Sequence, residues 1–209
     1  MTLKVLGRVT SINVRKVLWA ADEMGLSYER EDWGLPIRDP NVPEFLVLNP
    51  NGQVPVLLDG NFVLWESTAI MLYLAETYGQ GAWLPKTPEA RARVNQWLGW
   101  QASEMPGVWG YAVQALMRKT PGYDDPRRID QSIMAWESKM AVLEGHLAQS
   151  GQPYVAGETF TLADIAVGLA VHRWFGTPFE KQALPVVTDY YGRLKERKAG
   201  ARWMGLSTP

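Results

Sequence analysis

Apolar and polar positions along this chain fall into two regimes. In the first eighty residues the apolar runs are short and their period keeps changing. Lys4-Val5-Leu6 is a brief β-prone run closed by Gly7. Val14, Val17, Leu18 and Ala21 then repeat at helical spacing, with Ser11 or a neighbour placed to cap that helix and Gly25 to end it. Residues 26–30 alternate and predict a second strand. The opening therefore reads β-α-β, a crossover that implies a parallel strand pair. Residues 33–43 hold three prolines and read as a loop, and 44–48 make at most a short helix. Val56-Leu57-Leu58 and Phe62-Val63-Leu64 are short apolar runs on either side of Asp59-Gly60-Asn61, a turn signal, so they pair antiparallel. A helix follows from about Glu66 to Tyr78 and ends at Gly79. The expected product is a mixed four-stranded sheet with helices.

After residues 80–88, which include Gly81, Pro85 and Pro88, the strand signals stop. Residues 89–119 carry Val94, Trp97, Leu98 and Met105 at helical spacing, with Pro106-Gly107 as a kink or break. Ile129, Ile133, Trp136, Met140, Leu143 and Leu147 recur at spacings of four, three, four, three and four, a one-sided helix. Residues 162–175 are apolar nearly all round and predict a helix buried at the centre of this half. Residues 185–198 give one more amphipathic helix, followed by a short tail. The expected organisation is an α/β domain over 1–79, a linker over 80–88 and an all-helical domain over 89–209.

Composition narrows the chemistry. Of the 209 residues, 46% are hydrophobic and 21% charged, with a net charge of −1. That leaves no broad basic footprint for nucleic acid. No apolar run approaches the roughly 18–20 residues of a membrane helix. Cysteine is absent, which rules out disulfides, thiolate metal ligands and a protein thiol nucleophile. His146 and His172 are the two histidines and lack a His-x-x-x-His spacing, so no protein-held metal is expected. The N-terminus reads as a strand and not as a signal peptide, making the cytoplasm the expected compartment.

Residues 48–74 concentrate the candidate chemistry. A loop rich in Asn, Pro and Gly runs through Val54-Pro55 into a hairpin, which delivers Glu66-Ser67 to a helix start. The unpaired N–H groups of such a start suit a carboxylate or phosphate. An acidic residue at a helix start is also common with no ligand at all.

Three patterns in order resemble the soluble glutathione transferase family, and the likeness covers essentially the whole chain. They are Thr10-Ser11-Ile12-Asn13-Val14-Arg15-Lys16-Val17, then Asn49-Pro50-Asn51-Gly52-Gln53-Val54-Pro55-Val56-Leu57 with Glu66-Ser67-Thr68-Ala69-Ile70, and Gly157-Glu158-Thr159-Phe160-Thr161-Leu162-Ala163-Asp164-Ile165-Ala166. The resemblance implies a thioredoxin-like N-terminal domain, an all-helical C-terminal domain, glutathione as co-substrate and a homodimer. It implies a cis Val54-Pro55 bond, with the Val54 backbone pairing the cysteinyl part of glutathione. Glu66 and Ser67 would take the γ-glutamyl ammonium and carboxylate, and Gln53 would lie near the peptide.

The resemblance also places the thiol-activating residue near the start of the first helix. Ser11 matches, and the Ser-x-Asn spacing adds Asn13 as a second donor, as in bacterial-type relatives. Thr10 competes if the loop is turned by one residue. A hydroxyl donor plus the positive end of a helix favours thiolate over thiol. Relatives often meet the glycine carboxylate with a basic residue after the second strand, and within 33–43 only Arg38 qualifies. The second substrate, an apolar electrophile or a peroxide, is expected between the domains, lined by Met105, Val108, Trp109 and Tyr111. Trp109 is the foremost of these, and core packing is the alternative for all four. Thr161-x-x-Asp164 reads as a capping box and His172 as a hydrogen-bonded core residue.

Overall fold

The computed structural model describes residues 3–207. These form two compact units: 3–86 together with Gly205–Ser207, and Thr87–Met204. Among the described residues no helix is long and apolar enough to cross a membrane.

The first unit is thioredoxin-like. Strand β1 (Leu3–Leu6) leads to helix α1 (Ile12–Glu23), then to β2 (Tyr28–Glu31), α2 (Pro43–Leu46), β3 (Val56–Asp59), β4 (Phe62–Trp65) and α3 (Ser67–Tyr78). The sheet order is β2-β1-β3-β4. β1 runs parallel to β2 and antiparallel to β3, and β3 is antiparallel to β4. The mixed sheet and the β-α-β crossover are as the periodicity predicts. The pleat explains why both sheet faces are apolar. Leu6 and Val56 meet Trp33 and Phe45 on one face, while Val5 and Leu57 are buried on the other. Helices α1 and α3 pack against each other.

Register decides what gathers at one end of the sheet. Leu6 pairs with both Glu31 and Val56, and Val56 pairs with Trp65. The segments that follow Leu6, precede Val56 and follow Trp65 therefore emerge side by side. They carry Ser11, Val54-Pro55 and Glu66-Ser67.

The second unit is helical throughout: α4 (Pro88–Ser103), α5 (Met105–Ala112), a π-helical turn (Val113–Met117), α6 (Pro126–Ser150), α7 (Leu162–Gly176), α8 (Pro185–Glu196) and α9 (Lys198–Met204). Helix α7 is buried at every position from Leu162 to Trp174, and α4 and α8 pack against it. Asp164 closes its capping box: Oδ2 accepts from the Thr161 N–H (2.8 Å) and hydroxyl (3.1 Å), and Oδ1 accepts from Val155 N–H (3.0 Å) and Tyr190 Oη (3.1 Å). His172 is buried, with Nδ1 bonded to Tyr191 Oη at 2.8 Å.

The break expected at Pro106-Gly107 falls at Glu104, two residues before Pro106, whose missing N–H and bulky ring cannot continue the helical bond to the fourth residue back. One element departs from the periodicity. The expected tail contains α9, whose Trp203 and Met204 are buried. Arg197, with ψ of 137°, breaks the chain between α8 and α9.

Candidate active site

Ser11 ends a tight turn and begins a helix. Its N–H donates to the Arg8 carbonyl (3.1 Å), and its carbonyl accepts the first helical bond of α1, from the Arg15 N–H (3.0 Å). It occupies the N-cap position with extended backbone, yet its side chain makes no capping bond. The half-buried Oγ is therefore left for another partner at the positive end of α1. Asn13 is exposed in the first turn of the same helix. Thr10 is exposed and its hydroxyl accepts a bond from Arg8.

Arg15, a residue to which the apolar pattern assigns no role, is buried with 1% exposure. Its Nε donates to the Val9 carbonyl and its Nη2 to the Ser207 carbonyl, both at 2.6 Å. Burial lowers its pKa to about 10, so it remains a cation at neutral pH.

The Val54-Pro55 peptide bond is cis. Val54 is half-buried against the cluster of Leu6, Trp33, Phe45 and Val56. Among the described residues nothing pairs with its backbone N–H or carbonyl. The loop before it is organised by Asn49, which is buried. Its Nδ2 donates to the Gln53 carbonyl (2.8 Å), and its Oδ1 accepts from the Asn51 N–H (3.0 Å) and Asn51 Nδ2 (2.9 Å). Gln53 itself is exposed. Sequence reasoning gave Asn49 no role; its signal was the Asn-Pro-Asn-Gly run, which demands an organised turn.

Glu66 carries the most unusual backbone of the site, with φ of 74° and ψ of 112°. A residue with a side chain rarely adopts such a conformation, at a cost on the order of 1–3 kcal/mol. The twist turns the chain from β4 into α3. Ser67, the first helical residue, is buried, and no side chain caps α3. The N–H groups of its first turn are thus open to an anion, with an exposed carboxylate beside them. Nothing in the sequence signals this strain.

Gly7 joins the two halves of the site. A Cβ placed there would lie 2.4 Å from Val14 Cγ2 and 3.3 Å from Val54 Cβ. Only the missing side chain lets the start of α1 and the Val54 loop meet.

Arg38 is already engaged. It donates to Glu31 (2.6 Å) and Glu44 (3.0 Å) and stacks 3.5 Å above the Trp33 ring. Lys4, then Trp33 and Arg38, lower the pKa of Glu31. In the helical unit Met105 and Trp109 are buried. The Trp109 ring lies edge-on to Trp136 at 5.6 Å, with the Arg173 guanidinium 4.8 Å above it. Tyr111 is half-buried between Tyr123 and Arg128. Val108 is half-buried, its carbonyl accepting from Ser132 at 2.5 Å. Among the described residues no cluster of three or more His, Asp or Glu is arranged to hold a metal ion.

Comparison with known proteins gives one consistent result. Residues 1–76 match the family model for the glutathione S-transferase N-terminal domain, and residues 126–193 match that for the C-terminal domain. Glutathione S-transferase GstB of Escherichia coli is 32% identical over 195 residues, covering 92% of this chain and 93% of that protein. The glutathione-bound crystal structure of a theta class glutathione S-transferase from Xanthomonas axonopodis pv. citri is 36% identical. It aligns with a TM-score of 0.92 over 100% of this chain and 99% of that one. Glutathione S-transferase I from mais, in complex with an atrazine glutathione conjugate, is 28% identical with a TM-score of 0.86, over 100% and 99% of the two chains.

Proposed function

This chain belongs to the glutathione S-transferase family, and we propose that it activates the thiol of glutathione for attack on an apolar electrophile. The observation that carries this reading is the Ser11 hydroxyl, left unspent by capping at the start of α1. It stands at the same end of the sheet as Val54 and the open N-terminus of α3.

The roles follow from the chemistry of each group. Ser67 N–H and hydroxyl receive the α-carboxylate of the γ-glutamyl end, and the Glu66 carboxylate receives its ammonium. The unpaired backbone of Val54 takes the cysteinyl peptide as an added strand, with Gln53 alongside. Ser11 then donates to the sulfur, and Asn13 supplies a second donor. Moving a thiol pKa of about 8.5 down by about two units requires roughly 2.7 kcal/mol in favour of thiolate. A charge-assisted hydrogen bond of about 1.5–3 kcal/mol plus a helix end worth about 0.3–1 kcal/mol supplies it. The thiol proton passes to solvent. The thiolate then bonds to the electrophilic carbon while a leaving group such as halide departs with its electron pair.

The active species in this reading is a homodimer. Phe62 and Val63 on edge strand β4, and Met134 on α6, expose apolar surface of the kind subunit contacts bury. Sedimentation of the purified chain checks this.

The decisive experiment is Ser11→Ala beside Thr10→Ala and Asn13→Ala, assayed with a chlorodinitrobenzene-type substrate and by the ultraviolet absorbance of bound thiolate. Ser11→Ala is expected to raise the thiol pKa by about one to two units and slow turnover about 10- to 100-fold. Asn13→Ala should do less and Thr10→Ala least. An unchanged thiol pKa in Ser11→Ala would remove Ser11 from its role. Failure of the wild type to bind millimolar glutathione would leave a family scaffold without the ligand.

A further inference from the structure

Three bonds hold the turn that presents Ser11, and a fourth ties Arg15 to the C-terminal segment. The Ser11 N–H closes it onto the Arg8 carbonyl at 3.1 Å, and the Arg15 N–H continues it into α1 through the Ser11 carbonyl at 3.0 Å. The Arg15 side chain then folds back. Its Nε holds the carbonyl of Val9, inside the turn, at 2.6 Å. On the same edge of the guanidinium, Nη2 holds the carbonyl of Ser207, 192 positions away, also at 2.6 Å. That edge is rigid and planar, so two carbonyls bound to it are fixed relative to one another. The side chain is 1% exposed, and water competes poorly for these donors. Gly205–Ser207 accordingly belongs to the same compact unit as α1, although Thr87–Met204, which precede it, form the other unit.

We propose that Arg15 is a positioning residue through which the C-terminal segment 205–207 sets the Ser11 turn, and with it the placement of the thiol-activating hydroxyl. This rests on the assignment of thiol activation to Ser11. Without the Ser207 carbonyl, the buried edge loses its anchor at Nη2 and the guanidinium gains freedom about its last torsions. The Val9 carbonyl is then held less firmly, and Ser11 Oγ samples positions off the line to the sulfur. A shift of a fraction of an ångström is enough to weaken a hydrogen bond whose strength depends on length and angle. Lysine cannot replace the residue, because an ammonium is a point charge with rotating donors and no fixed edge.

The test compares the wild type with Arg15→Lys in the full chain and with a chain ending at Met204. Backbone hydrogen exchange is measured first, without glutathione. Arg15→Lys should speed exchange about tenfold over residues 8–13 and over 205–207 together, and the shortened chain should do the same over 8–13, while β3 and α6 keep wild-type protection. The apparent pKa of bound glutathione is read next. Both variants should raise it by about half a unit to one unit, with glutathione affinity within about threefold of wild type. A purely structural role would lower the melting temperature without moving that pKa. Wild-type exchange over 8–13 and an unshifted thiol pKa in the shortened chain would overturn the proposal. So would Arg15→Lys that loosens only one of the two segments. If the wild type itself binds no glutathione, the thiol-activation reading fails, and the exchange data alone decide whether the segment holds the turn.

Discussion

Gly7 and Val14 approach so closely that a methyl group on Gly7 would stand 2.4 Å from Val14 Cγ2. No real Cβ tolerates that distance, and Val54 blocks relief on the other side at 3.3 Å. The glycine ends β1 where α1 and the Val54 loop must both pass.

Gly7→Ala is therefore expected to destabilise the chain by about 1–3 kcal/mol, the range for forcing an extra methyl into a packed site. It should also weaken glutathione binding by pushing Val54 away from Ser11. Urea unfolding and a tryptophan-fluorescence titration measure the two effects. Wild-type values for both would show that the backbone yields at no cost.

Glu66 combines strain with a functional charge. Its φ of 74° suits glycine better than glutamate. Glu66→Gly should raise stability by about 0.5–1 kcal/mol and still weaken glutathione binding, because the carboxylate is lost. Glu66→Gln, which keeps the strain and loses the charge, should weaken binding about 10- to 100-fold with little change in unfolding midpoint. Equilibrium binding beside denaturation separates the two contributions.

Asn49 supports the site without facing the ligand. It makes three hydrogen bonds that close the loop before Val54. Asn49→Ala should cost about 2–3 kcal/mol of stability and loosen the Gln53 carbonyl, raising the Michaelis constant for glutathione more than it lowers turnover. Steady-state kinetics at saturating second substrate tests that split.

Asp164 and Asp59 respond to pH in opposite senses. Burial holds the Asp164 pKa up at about 6, against the donors from Val155, Thr161 and Tyr190. The unfolded value is about 3.9, so the folded chain keeps this proton longer. The stability it contributes is full below about pH 4 and is lost as pH rises through about 6. Hydroxyl bonds from Tyr78 and Tyr73 instead lower the Asp59 pKa. Its contribution is present above about pH 4 and is lost as pH falls through the folded value. Urea unfolding across acid and neutral pH should show Asp59→Asn flattening the acid-side loss. Asp164→Asn should remove the fall between about pH 4 and 6. Below about pH 4 it should also cost about 3 kcal/mol, a deficit that shrinks as pH rises and the wild type loses stability, since an amide nitrogen would face the two Thr161 donors.

Short apolar runs, the Asp59-Gly60-Asn61 turn and the all-round apolar stretch 162–175 made the mixed sheet, the hairpin and the buried helix α7 legible. Periods of two and 3.6 are properties of neighbouring residues, so they survive in the sequence. The succession Val54-Pro55, hairpin, Glu66-Ser67 was legible for the same reason: a two-strand register brings the ends of a short segment together. Where the spacing left Ser11, Thr10 and Asn13 open, the structure placed the Thr10 hydroxyl under Arg8 and left the Ser11 hydroxyl uncapped. The backbone twist of Glu66 and the close fit at Gly7 also needed the folded chain. Arg15 shows the reason most clearly. In sequence it is one charged position on a helix; in the fold it is buried, with one hand on Val9 and the other on Ser207. A local pattern carries no record of a partner 192 residues away. Only the packing that closes the chain on itself decides what that side chain touches.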